Sequence, residues 1–140
     1  MIDLEECIKK GMIRKTHPSK NQALASIEKA KKFLEEAKAG HNDKRFNSAV
    51  LMAYLVVLNA SRSILFRDGY RERSHACITR YLEEKYKNII PLDTIYLLDH
   101  YRETRHELQY ETDYMADEKG SAQILEFADK FVVLVEKLVE

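Results

Sequence analysis

The sequence predicts an all-α fold, an up-and-down bundle of four main helices with one short helix near the N-terminus. The chain has only four glycines and two prolines, and they stand between segments whose apolar residues recur every three or four positions. No segment shows the strict apolar–polar alternation of a half-buried strand. The predicted segments cover residues 3–12, 19–39, 42–68, 71–88, 92–110 and 117–139. Short connections between long helices favour antiparallel neighbours, and 140 residues suit a single domain, residues 1–140.

Local signals support the first long helix. Ser19 and Gln22 form a capping-box pair directly after Pro18, and Gly40 suits a left-handed C-terminal turn. One face of this helix carries the apolar residues Ala23, Ile27, Ala30, Leu34 and Ala37.

The second long helix is predicted to be the centre of the bundle. Asn42 or Asp43 can cap its start, residues 49–58 are apolar on every side, and Gly69 ends it. A membrane span needs about 20 apolar residues, so this run of ten indicates a buried core helix and no membrane partner.

The remaining helices are indicated by apolar stripes. The helix that follows Gly69 carries Cys77, Ile78, Tyr81 and Leu82, and Pro91 opens the next one. The last helix has a long apolar face formed by Ile124, Phe127, Phe131, Leu134, Val135 and Leu138.

Composition excludes several classes of protein. With 23 basic and 23 acidic residues, the net charge is zero, which argues against a broadly basic nucleic-acid binder. The total hides an uneven distribution, because residues 1–102 carry a charge of +6 and residues 103–140 a charge of −6. Two cysteines are too few for a disulfide framework or a cysteine zinc site, and the acidic N-terminus lacks the pattern of a signal peptide. A reduced, cytoplasmic location is therefore expected.

Two Glu-x-x-His pairs, Glu72 with His75 and Glu103 with His106, are typical of di-iron helical bundles. Residues 44–67 contain no carboxylate that could complete such a site, and arginines flank both pairs. The sequence therefore predicts no metal and no cofactor.

Arg102 and Arg105 fall within the apolar arc of the fourth long helix, whereas Glu103 and Glu107 project from the opposite side. A cation on an apolar face needs a carboxylate partner or lines a cleft. From the residues alone, an internal ion pair and an anion-binding groove both remain open. His75 follows Ser74, but a serine nucleophile would need an orienting group and an oxyanion hole that the sequence does not show.

Three stretches, residues 4–11, 61–75 and 102–110, resemble small prokaryotic HEPN-domain proteins, and the resemblance covers nearly the whole chain. It implies an all-helical bundle that is usually a homodimer and is often encoded beside a minimal nucleotidyltransferase, in toxin–antitoxin or defence systems. Many members are metal-independent ribonucleases. Their signature is an arginine, four to six residues and a histidine at a dimer cleft, where the arginine holds a phosphate and the histidine acts in acid–base cleavage of RNA.

The sequence departs from this signature, because three residues separate Arg102 from His106 and Arg71 from His75. Arg102, and secondarily Arg105, match the arginine of the signature, and its histidine is missing. The favoured hypothesis is a non-catalytic module that binds nucleotide or RNA phosphate through Arg102 and Arg105 and partners a nucleotidyltransferase. One alternative is a divergent ribonuclease that uses His106 or His75. The other is a purely structural dimerisation protein whose two arginines form internal salt bridges.

Overall fold

The computed structural model describes residues 2–140, most of which are helical. Its elements are α1 (Leu4–Lys9), β1 (Ile13–Lys15), α2 (Lys20–Asn42), α3 (Phe46–Asp68), β2 (Tyr70–Glu72), α4 (His75–Lys85), α5 (Leu92–Tyr110) and α6 (Glu118–Val139). The all-α class is confirmed in broad terms. The up-and-down connectivity and the single domain stay predictions.

Helix α3 is the centre of the fold, as its all-round apolarity predicts. Thirteen of its 23 residues are buried, and α2, α4, α5 and α6 all contact it. In residues 2–140 it is the one helix long and apolar enough to cross a membrane. Most of that stretch is buried inside the fold, which is compatible with a soluble protein.

A small two-stranded sheet is present where the sequence predicts no strand. Strand β1 pairs antiparallel with β2, and Arg14 stands directly opposite Arg71. The helix expected from residue 71 therefore begins at His75. Three-residue strands are too short to show a period of two, so the sequence pattern could not reveal them.

The ends of two helices also differ from the prediction. Helix α2 continues through Gly40 to Asn42 with an ordinary helical backbone at the glycine, which therefore does not form the predicted left-handed turn. Helix α3 begins at Phe46 without a side-chain cap, so neither Asn42 nor Asp43 caps it.

Two predicted helix signals are confirmed. The backbone N–H of Gln22 donates to Ser19 Oγ at 3.1 Å, which caps the start of α2. Gly69 ends α3 with φ of 90°, and a Cβ on it would lie 2.9 Å from Pro18 Cγ. Glycine is required there by both backbone conformation and space.

The two cysteines form a disulfide, which contradicts the expectation of a reduced pair. Cys7 of α1 and Cys77 of α4 are fully buried, with Cα atoms 5.8 Å apart. A count of cysteines cannot reveal that the fold brings two residues 70 positions apart together. The cytoplasmic location stays a prediction.

Candidate anion-binding site

A groove of about 570 Å³ lies between the start of α4 and the second half of α5. We call it the arginine groove, and its lining residues are Arg73, Ser74, His75, Ala76, Arg102, Glu103, Arg105, His106 and Glu107. The structure therefore places Arg102, Arg105, His75 and His106, the four candidates from the sequence, along one groove. They come together because α4 packs beside α5.

The N-terminus of α4 forms one wall of the arginine groove. Ser74 is the N-cap, and its Oγ accepts from the backbone N–H of Cys77 at 3.4 Å, so His75 is the first helical residue. The unpaired N–H groups and the dipole of this 11-residue helix make its start partly positive. Anions are therefore favoured on this side of the groove.

His75 is half-buried and contacts groups from two other helices. Its Nδ1 lies 3.0 Å from Tyr54 Oη in α3 and 3.5 Å from Arg105 Nη2 in α5. Because a guanidinium only donates, this geometry favours a neutral ring with its proton on Nε2. Burial lowers the pKa of His75, the charges of Arg105 and Arg62 lower it further, and Glu72 partly opposes them. The imidazole is therefore neutral at neutral pH.

Arg105 carries a positive charge that no carboxylate neutralises within ion-pair distance in residues 2–140. Its Nη1 donates to Gln109 Oε1 at 2.9 Å, and its guanidinium carbon lies 4.7 Å from the centre of the Tyr54 ring. Its Nε is buried and has no hydrogen-bond partner in the described chain. The aromatic ring and the amide hold the side chain in place but leave its charge available to a ligand.

Arg102 is partly neutralised. Its Nη2 donates to Asp99 Oδ1 at 3.1 Å, while Asp99 Oδ2 accepts from Arg80, which is 5% exposed. One carboxylate is thus shared by two guanidiniums. The Nε of Arg102 is also buried without a hydrogen-bond partner among residues 2–140. The internal ion pair expected under the structural alternative is present for Arg102 but not for Arg105.

His106 and the two glutamates lie at the exposed rim of the groove. The His106 ring packs on the Tyr110 ring at 4.7 Å, and His106 has no hydrogen bond in the described part of the chain. Glu103 and Glu107 are exposed, as predicted, but they line the same groove instead of lying away from it. The two glutamates were expected on the side of α5 opposite Arg102 and Arg105. The groove is wide enough to include the glutamates as well as the arginines, so that expectation is too simple.

Sequence analysis missed three residues of the site. Tyr54 lies in the apolar run of α3 and has the pattern of a core residue. Asp99 has no sequence feature that separates it from other acidic residues, and Arg73 is one of several arginines that flank a Glu-x-x-His pair. A tyrosine inside an otherwise aliphatic run was the available signal, because a buried hydroxyl needs a partner.

The Glu-x-x-His pair on the α4 side is not arranged for a metal. Glu72 accepts from Arg62 at 2.8 and 2.9 Å, and its side chain is 7% exposed. No group of three or more histidine, cysteine or carboxylate side chains that could hold a metal occurs among residues 2–140.

The fold and the groove define a small, mainly helical domain with a cationic groove between two helices. The model of the HEPN domain matches residues 23–138, which is most of the chain. The chain belongs to the HEPN family, as the resemblance in residues 61–75 and 102–110 suggests. A search of the curated proteins finds no match.

Proposed function

We propose that this HEPN protein binds the phosphate of a nucleotide or RNA in the arginine groove, through Arg105 and Arg102, without cleaving it. The observation that supports this most strongly is the Arg105 guanidinium, which lines the groove and has no carboxylate partner in residues 2–140. A partly buried cation without a counter-ion is costly unless an anion can reach it.

The chemistry of the groove suits a phosphate. An arginine has five N–H donors in a planar fork that matches phosphate oxygens, and Gln109 and His75 engage only two of those of Arg105. The start of α4 adds backbone donors and a partial positive charge. A charged hydrogen bond contributes about 1.5–3 kcal/mol, so two arginines and a helix terminus together supply roughly 4–6 kcal/mol, which corresponds to dissociation constants from about 1 mM to tens of micromolar.

The alternative of a purely structural dimerisation protein explains fewer of the contacts in the arginine groove. Internal salt bridges would account for Arg102, because it donates to Asp99. They leave Arg105 unexplained, since it contacts a neutral amide, a tyrosine ring and a neutral histidine.

One observation favours the ribonuclease alternative as a second candidate. His75 is neutral and adjacent to Arg105, a cation that can bind the phosphate, so its Nδ1 can act as a general base once the substrate displaces Tyr54 Oη from it. In this mechanism the imidazole takes the proton of the RNA 2′-hydroxyl as that oxygen attacks the phosphorus, and the 5′-oxygen leaves with a proton from a second acid.

Two assays on the purified protein test the proposal. Isothermal titration with AMP at about 50 mM salt is expected to show saturable binding that weakens steeply as salt rises. Incubation with single-stranded RNA is expected to leave the RNA intact. Cleavage that is lost in His75→Ala but retained in His106→Ala would instead establish the ribonuclease, and absence of AMP binding would contradict the proposal.

We further propose that the module forms a homodimer and partners a nucleotidyltransferase, as parts of a toxin–antitoxin or defence system. Membership of the HEPN family supports both the homodimer and the complex with a nucleotidyltransferase. The exposed surface of α5 supports the homodimer as well. Only three of its 19 residues are buried, while Leu92 and Tyr96 are 58% and 67% exposed. An exposed leucine and tyrosine one turn apart are typical of an interface helix.

Size-exclusion chromatography with light scattering tests both the homodimer and the complex with a nucleotidyltransferase. The protein alone is expected to elute at twice the monomer mass, and Tyr96→Lys is expected to shift it to the monomer. Co-expression with a nucleotidyltransferase encoded beside this gene is expected to give a joint peak. A monomeric wild type would overturn the dimer, and separate elution would overturn the complex.

A further inference from the structure

A second cationic groove, of about 340 Å³, lies where α2, α3 and β2 meet. We call it the ribbon groove. Its cations are Lys29, Arg62 and Arg71, its aromatic residue is Phe66, and none of its lining residues is a carboxylate. Glu72, which does not line the groove, forms an ion pair with Arg62. Lys29 and Arg71 have no ion-pair partner in the described chain.

The sheet beside this groove holds two like charges against each other. Arg14 of β1 stands directly opposite Arg71 of β2, and both side chains are exposed. Like charges directly across an antiparallel pair are destabilising. The Arg71 guanidinium carbon also lies 5.6 Å from the centre of the Phe66 ring, so the side chain is positioned over an aromatic surface.

The ribbon groove adjoins the arginine groove. Arg71 lines the first and Arg73 the second, and the backbone N–H of Arg73 donates to Met12 O at 2.8 Å, which extends the strand pairing. Only Glu72 separates Arg71, in the middle of β2, from Arg73, in the bend that follows the strand, so the two grooves meet where β2 ends.

Arg62 connects the two grooves. It lines the ribbon groove, and its charge is close enough to His75 in the arginine groove to lower the pKa of that histidine. Arg62 is therefore the cation of the ribbon groove whose charge acts on the arginine groove.

We propose that the ribbon groove continues the arginine groove as a track for the backbone of a single-stranded nucleic acid, with Lys29 and Arg71 binding phosphates next to the one held by Arg105. The proposal rests on the proposed function and narrows its ligand class from any nucleotide to a polynucleotide. A nucleic acid is favoured over an acidic protein because the exposed planar face of Arg71 on Phe66 can also stack on a base.

Fluorescence anisotropy with a labelled single-stranded RNA of about 12 nucleotides tests the track. The RNA is expected to bind at least about tenfold more tightly than AMP, because it reaches both grooves. The double variant Lys29→Gln, Arg71→Gln is expected to lose about tenfold or more in RNA affinity and about 1.4 in the slope of log affinity against log salt. Its affinity for AMP should not change.

Lys130→Gln is the matched control, because it removes an exposed cation from α6 that pairs with Glu126. It should leave RNA binding unchanged. Equal affinity for RNA and AMP, or an unchanged double variant, would overturn the track while leaving the arginine groove intact. If a polyglutamate peptide displaces the labelled RNA as well as unlabelled RNA does, the ribbon groove is a surface for an acidic protein, and this result would also overturn the track. If neither AMP nor RNA binds the wild type, the proposed function fails and the track fails with it.

Discussion

Replacing Arg105 with glutamine is expected to weaken AMP binding by about ten- to a hundredfold, because one charged interaction with the phosphate contributes about 1.5–3 kcal/mol. No carboxylate forms an ion pair with Arg105 in residues 2–140, so its charge is less offset than that of Arg102, which pairs with Asp99. The half-buried side chain packs on Tyr54 without an ion pair, and its loss should leave the fold intact. Isothermal titration measures the affinity, and circular dichroism checks the fold.

Two further variants distinguish this account from a general effect of charge. Arg102→Gln is expected to weaken binding less, because Asp99 already neutralises part of its charge. Arg105→Lys keeps the charge but loses the planar fork, so it should restore part of the affinity. Arg45→Gln, a change to an arginine paired with Asp43 before α3, is the matched control and should have no effect. An unchanged affinity in Arg105→Gln would rule out the assigned role.

Removing the disulfide with the double variant Cys7→Ala, Cys77→Ala is expected to lower the free energy of unfolding by about 4 kcal/mol. The bond closes a loop of 70 residues, and a cross-link of that length restricts the unfolded chain by about this amount. Urea unfolding followed by circular dichroism gives the free energy. Helix α1 should become the least protected element, since Cys7 is its one buried residue.

Reductant provides the control for this prediction. Dithiothreitol is expected to destabilise the wild type and to leave the double variant unchanged. If two thiols react with Ellman's reagent when the wild type is unfolded without reductant, the pair is not bonded and the stability prediction is wrong.

Much of the fold could be predicted from local signals. Helices α5 and α6 occupy their predicted segments closely, and α3 ends where Gly69 predicts, because Gly69 and Pro91 mark boundaries by their own backbone preferences. What failed depends on contacts between distant segments. Strand β1 forms only because β2 lies beside it. The pairing of the cysteines has the same origin.

The arginine groove also has a part that local spacing predicts and a part that depends on contacts between distant segments. Residues three or four apart share a helix face, so the presence of Arg102 and Arg105 on one side of α5 followed from their spacing. The spacing of residues within α5 could not show that Asp99 would be divided between Arg102 and Arg80. Nor could it place Tyr54 against His75, because that contact joins two helices across a turn and a strand.

The most direct test of the arginine groove is an NMR titration that follows the Nε–Hε signals of the nine arginines as AMP is added. We predict saturable shifts of the Arg105 and Arg102 signals with a single dissociation constant, while the signals of Arg45 and Arg67 stay in place. Arg67 serves as an internal reference, because Asp68 and Tyr86 already hold it. Shifts spread evenly over all the arginines, or none at Arg105, would contradict phosphate binding in this groove.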